Sequence, residues 1–155
     1  MISNRNAGGL RRSPFIPLTD EEINFLKDEI KAIEAEESVF EFVNGRATSY
    51  RDETDKIYVK KDVFPDLDSI HPRDLLSPRA VLAHEYYGHR ANRNSSLDEG
   101  SWNDEFRASY MAALNTPNLS DKERAGLILD AIERAREAGV TIKYNEFMRR
   151  TLYGG

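Results

Sequence analysis

Ser77-Pro78-Arg79-Ala80-Val81-Leu82-Ala83-His84-Glu85-Tyr86-Tyr87-Gly88-His89 is the stretch from which the rest of the chain can be read. Ser77 suits an N-cap, and Pro78 would stand at the first helical position, where a missing amide costs nothing. The segment predicts a helix that carries Val81 and Leu82 and then two histidines flanking one glutamate. These histidines are five positions apart. In a regular α-helix five residues advance about 500°, which leaves the two rings roughly 140° apart and unable to share an ion. One extra residue in the turn, a π-bulge, brings them back onto one side. Gly88, with no Cβ, makes that distortion easier, and inside a helix-forming run it otherwise costs stability. The spacing therefore reads as a functional bulge rather than as two surface histidines.

The residue types are those of a metal site. The chain has no cysteine, so zinc here must be held by imidazole and carboxylate, and a catalytic zinc keeps one position open for water. His84 and His89 supply two ligands. A helix starting after Ser101 and running through Leu114 places Glu105, Ala108 and Ala112 on one face, and the small side chains let it approach the histidine helix closely. Glu105 is thus the candidate third ligand, with Asp98, Glu99 and Asp104 as competitors in the same acidic stretch. Glu85, next to His84 but not a ligand, is the candidate general base. His71, beside Pro72, reads as a surface or hydrogen-bonding histidine, and Tyr86 and Tyr87 as packing residues. Arg90 and Arg107 read as surface ion-pair partners, with orientation of Glu105 or of a substrate carboxylate as the alternative.

The hexapeptide His84-Glu85-Tyr86-Tyr87-Gly88-His89 resembles the His-Glu-x-x-Gly-His motif of the dipeptidyl-peptidase III metallopeptidases, which have the same extra residue. Their second motif, Glu-Glu-x-Arg-Ala-Glu, is similar to Asp104-Glu105-Phe106-Arg107-Ala108-Ser109, which departs from it at Ser109 and has Asp104 for the first glutamate. The resemblance covers about a dozen residues. The enzymes of that family are several times longer, and their motifs are further apart than the 15 residues between His89 and Glu105 here. It implies His84, His89 and Glu105 as zinc ligands and Glu85 as the base that activates water. Residues 105–113, with Tyr110, Ala112 and Ala113 after the glutamate, also look like the second zinc helix of small glutamate-zincins.

Outward from this centre the chain alternates between two periods. Residues 1–18 read as a flexible arm interrupted by Gly8, Gly9, Pro14 and Pro17, followed by one domain over 19–155. Thr19 and Glu22 form a capping-box pattern ahead of Ile23, Leu26, Ile30 and Ile33, predicting a helix over about 20–35. Val39–Val43 is aromatic and β-branched, and Asn44-Gly45 predicts a hairpin to a strand through Thr48 and Tyr50. Lys56–Lys60 is a further strand ahead of the metal helix, where the resemblance to zincins implies a sheet edge for an extended substrate. Ser120 caps a helix to about Ala138, closed by Gly139, and a last helix covers Tyr144–Leu152. The expected fold class is α+β, a zincin-like single domain with a small antiparallel sheet packed on the zinc-binding helix and on further helices.

Composition bounds the function. With 39% hydrophobic and 32% charged residues the chain is globular, and its net charge of -5 argues against a nucleic-acid binder. No apolar run approaches the ~20 residues of a membrane span, and Met1–Arg12 lacks the apolar centre of a signal peptide. The expectation is a zinc-dependent peptidase, with Zn2+ as cofactor and a peptide or protein as substrate. Two alternatives are a toxin or effector protease domain delivered as part of a longer protein, and a zinc-binding module that no longer cleaves.

Overall fold

A computed structural model describes residues 16–154. The arm expected over residues 1–18 lies, up to residue 15, outside the described residues. Helix α1 spans Asp20–Ala32, and Thr19 and Glu22 close the anticipated capping box at its start. It ends three residues short of the expected boundary because Glu34 turns left-handed, at φ 59°. Strands β1 (Phe40–Phe42), β2 (Ser49–Arg51) and β3 (Lys56–Val59) follow. Helix α2 (Pro78–Ala83), capped by Ser77 with Pro78 in its first turn, continues without a break into a π-helical turn at His84–His89. Helices α3 (Trp102–Asn115), α4 (Asp121–Glu137) and α5 (Glu146–Tyr153) complete the chain, capped by Ser101, Ser120 and Asn145.

The architecture is α+β, but the sheet is mixed, not antiparallel. Its strand order is β1-β3-β2, with β1 parallel to β3 and β2 antiparallel to it. The hairpin expected at Asn44-Gly45 does not form. A two-residue type I′ turn needs positive φ at both central residues, and here Gly45 has it while Asn44 does not. Asp62 overrides the local turn signal. Its buried carboxylate accepts hydrogen bonds from the amides of Ala47 (2.8 Å) and Thr48 (3.0 Å) and from the Thr48 hydroxyl (2.6 Å). The chain is thereby carried far enough from β1 for β3 to enter between the two strands. The reversal comes instead between β2 and β3, through residues 52–55 with Asp55 at φ 54°.

One apolar core joins these elements. Leu26 and Ile30 of α1, Ile57 and Val59 of β3, Val81 and Leu82 of α2, and Leu127 and Ile128 of α4 are all buried in it. Helix α3 lies against both α4 and the π turn. Among the described residues no helix is long and apolar enough to cross a membrane.

Candidate metal centre

The π turn does what the five-residue spacing requires. The amide of Arg90 reaches back to the carbonyls of Glu85 and Tyr86, and the first of these is an i to i+5 bond. Widening the turn cancels the ring mismatch of a regular helix. The imidazoles of His84 and His89 come to 4.8 Å between ring centres, edge to face at 79°.

Gly88 has a second and more stringent reason to be glycine. A Cβ at this position would meet the Ala108 carbonyl oxygen at 2.4 Å and its carbonyl carbon and Cα at 2.8 Å. The backbone of α3 thus lies directly on the π turn. The small buried residues Ala108 and Ala112 continue the contact face of α3. Glu105, one turn before Ala108, is brought to the histidines by this approach. Its Oε1 is 3.0 Å from His84 Nε2 and 3.1 Å from His89 Nε2. His84, His89 and Glu105 together can hold a metal ion, each offering one ligand atom within 4.8 Å of the others.

The competing acids are placed differently. Asp104 Oδ2 accepts from the Gly100 amide at 2.9 Å and lies 3.7 Å from His89 Nδ1, where it orients that ring electrostatically. Glu99 is exposed on the cleft wall, and Asp98 uses its backbone carbonyl to hold Ser101. Tyr86 stacks on Phe40, and the Tyr87 hydroxyl donates to the Ile33 carbonyl at 2.6 Å, so both are packing residues. Arg90 pairs with Asp55, and Arg107 with Asp104 and Ser95. His71 is remote from the centre. It bonds Glu137 at 2.7 Å near Glu133, and Arg73 and Arg136 already hold those two carboxylates.

Glu85 is buried beside His84, His89 and Glu105, and its Oε1 accepts the Tyr50 amide of β2 at 3.0 Å. The expected pairing edge is therefore corrected. Lys56–Val59 is the central strand, and the edge strand at the site is β2. Its Tyr50, paired in register with Ile57 of β3, gives its amide to Glu85. Strand β2 and the segment from Asn92 to Gly100 wall a cavity of about 210 Å³, onto which Glu85, His89 and Glu105 open.

The two carboxylates are driven apart in acidity. Burial pushes the Glu85 carboxyl up, against the lowering effect of the two histidines. Burial acts the same way on Glu105, but His89, His84 and Arg134 outweigh it and hold Glu105 well below the usual range. Burial disfavours charge on His89 too, yet Glu105, Glu85 and Asp104 raise its pKa to about 9. The centre draws positive charge to a point where two ring nitrogens face one carboxylate oxygen. Such a donor set of two imidazoles and a carboxylate suits a divalent cation in place of that proton.

A third layer of residues was not anticipated. His84 Nδ1 lies 2.8 Å from Ser109 Oγ, and the Ser109 hydroxyl donates to Asp130 Oδ2 at 2.6 Å. Arg134 Nε donates to Asp130 Oδ1 at 3.2 Å, and its Nη1 is 3.8 Å from Glu105 Oε1. A signal for this existed in α4. Asp130 and Arg134 are an i, i+4 pair on the same stripe as Leu127, Ala131 and Ala135, where an unpaired charge would be prohibitive. Comparison of the chain with protein-family models, curated proteins and solved structures finds no match.

Proposed function

We propose that this chain is a zinc-dependent peptidase with a zincin-like catalytic domain. The observation that carries this reading is the division of labour between two buried glutamates. Glu105 points at both imidazoles, while Glu85, one residue from His84, faces the cavity and is tied to the edge strand. A site meant only to hold a metal has no need of the second carboxylate.

His84, His89 and Glu105 would hold the zinc, and His89 and Glu105 open onto the cavity from which a substrate would approach. When bound there, zinc supplies a Lewis acid that lowers the pKa of a water toward neutrality and polarises a carbonyl. Glu85 takes the proton from the attacking water and returns it to the leaving amine; a carboxyl raised by burial is suited to both steps. Its hydrogen bond from Tyr50 holds the carboxylate in place without consuming the second oxygen.

Two substitutions test the assignment. Glu105→Gln should weaken zinc binding, since the amide is an uncharged and poorer ligand. Glu85→Gln should retain one zinc per chain and lose about 10²–10⁴-fold in turnover. The assays are metal content by mass spectrometry and cleavage of a broad peptide library. Zinc lost from the Glu85 variant and kept by the Glu105 variant would reverse the two roles. Wild-type protein that holds zinc and cleaves nothing would favour a metal-binding module.

A further inference from the structure

We infer that Ser109 and Asp130 fix the tautomer of His84, so that α4, which contributes no ligand, sets the lone pair that faces the metal. Resting on the metal-site reading above, the inference extends it to two residues that touch neither metal nor substrate. Both are positioning residues. His84, Ser109 and Asp130 are completely buried.

The direction of the relay follows from counting protons. Asp130, as the ion-pair partner of Arg134, is an acceptor only. The Ser109 hydroxyl has one proton, and at 2.6 Å it is committed to Asp130 Oδ2. Ser109 Oγ can then only accept from His84, so the proton in the 2.8 Å contact belongs to Nδ1. Nε2 is thereby the nitrogen left to face Glu105 Oε1, 3.0 Å away, and the one that would offer its lone pair to a metal ion in place of a proton. Arg134 closes the circuit. Its guanidinium faces Asp130 on one side and Glu105 on the other, so a single cation holds both carboxylates in register. Carboxylates that orient ligand histidines in this way typically contribute about 10–100-fold to metal affinity. Here a serine passes the effect from one helix to the next.

Asp130→Asn tests the direction as well as the contact. With the asparagine oxygen turned to Arg134, its amide donates to Ser109, the hydroxyl reverses, and His84 Nδ1 becomes an acceptor. The chain has three histidines, so ¹⁵N-histidine spectra of the metal-free protein can be assigned with His71→Ala and His89→Ala variants. The expected result is a protonated Nδ1 at His84 in the wild type and an unprotonated one in Asp130→Asn. Zinc affinity, measured by competition with a chromogenic chelator, should fall about 10–100-fold. Ser109→Ala, which breaks the relay without adding bulk, should show the same loss of affinity if Asp130→Asn does not fold. A merely structural role would lower the melting temperature and leave both the Nδ1 state and the zinc affinity unchanged. An unprotonated Nδ1 in the wild type, or unaltered zinc affinity in both variants, would overturn the inference. Wild-type protein that binds no zinc overturns the metal reading instead, and the Nδ1 signal then still decides the relay.

Discussion

Gly88→Ala puts a methyl group where the backbone of α3 lies. In an ordinary helix the change is favourable by about 0.8–1 kcal/mol, so the sign of its effect is diagnostic. The new Cβ would be 2.4 Å from the Ala108 carbonyl oxygen, whereas ordinary contact begins at 3.4 Å. The clashing atoms are backbone, so no rotamer change relieves them, and α3 must move outward by about 1 Å. Overpacking of this kind costs about 1–3 kcal/mol. Set against the gain in helix propensity, the net destabilisation is up to about 2 kcal/mol, or a melting temperature lower by up to about 8 °C. The larger consequence is at the metal. Glu105 travels with Ala108 on α3, and a site whose ligand distances hold to about ±0.2 Å cannot absorb a shift of that size. Zinc affinity should therefore fall at least tenfold, although Gly88 offers no ligand. The checks are thermal unfolding of the metal-free protein and chelator competition. A variant with wild-type melting temperature and wild-type zinc affinity would refute the close approach of α3 to the π turn.

Zinc affinity should depend steeply on pH. With the His89 pKa at about 9 in the metal-free chain, binding must expel its proton, so affinity rises about tenfold per unit up to about pH 9 and then levels. Affinities that agree between pH 7 and 8, with no proton released in calorimetry across two buffers, would contradict this. Asp62→Ala leaves the Ala47 and Thr48 amides without their acceptor. Leaving a buried donor unpaired costs about 1–3 kcal/mol, which thermal or urea unfolding should register as a clear loss of stability.

Much of this protein is written in short-range chemistry. The capping boxes of α1 and α4, the proline start of α2 and the glycine that ends α4 each depend on groups three or four residues apart, and all are where the residue pattern puts them. The π turn was legible for the same reason, because the mismatch of His84 and His89 is a property of one helix. Glu105 could be picked from its acidic neighbours because a helical face carries it with Ala108 and Ala112. What tertiary structure decided are the contacts between distant segments. Asn44-Gly45 carries a hairpin signal, yet the Asp62 carboxylate, more than fifteen residues on, draws the loop away and admits β3. Gly88 reads locally as tolerance of a distorted turn, and only the placement of α3 shows a backbone where its Cβ would be. Asp130 and Arg134 stand 21 or more positions from Ser109 and Glu105. Local propensity has no knowledge of which buried charges will meet, because that choice is made when helices pack and each polar group must find a partner out of water.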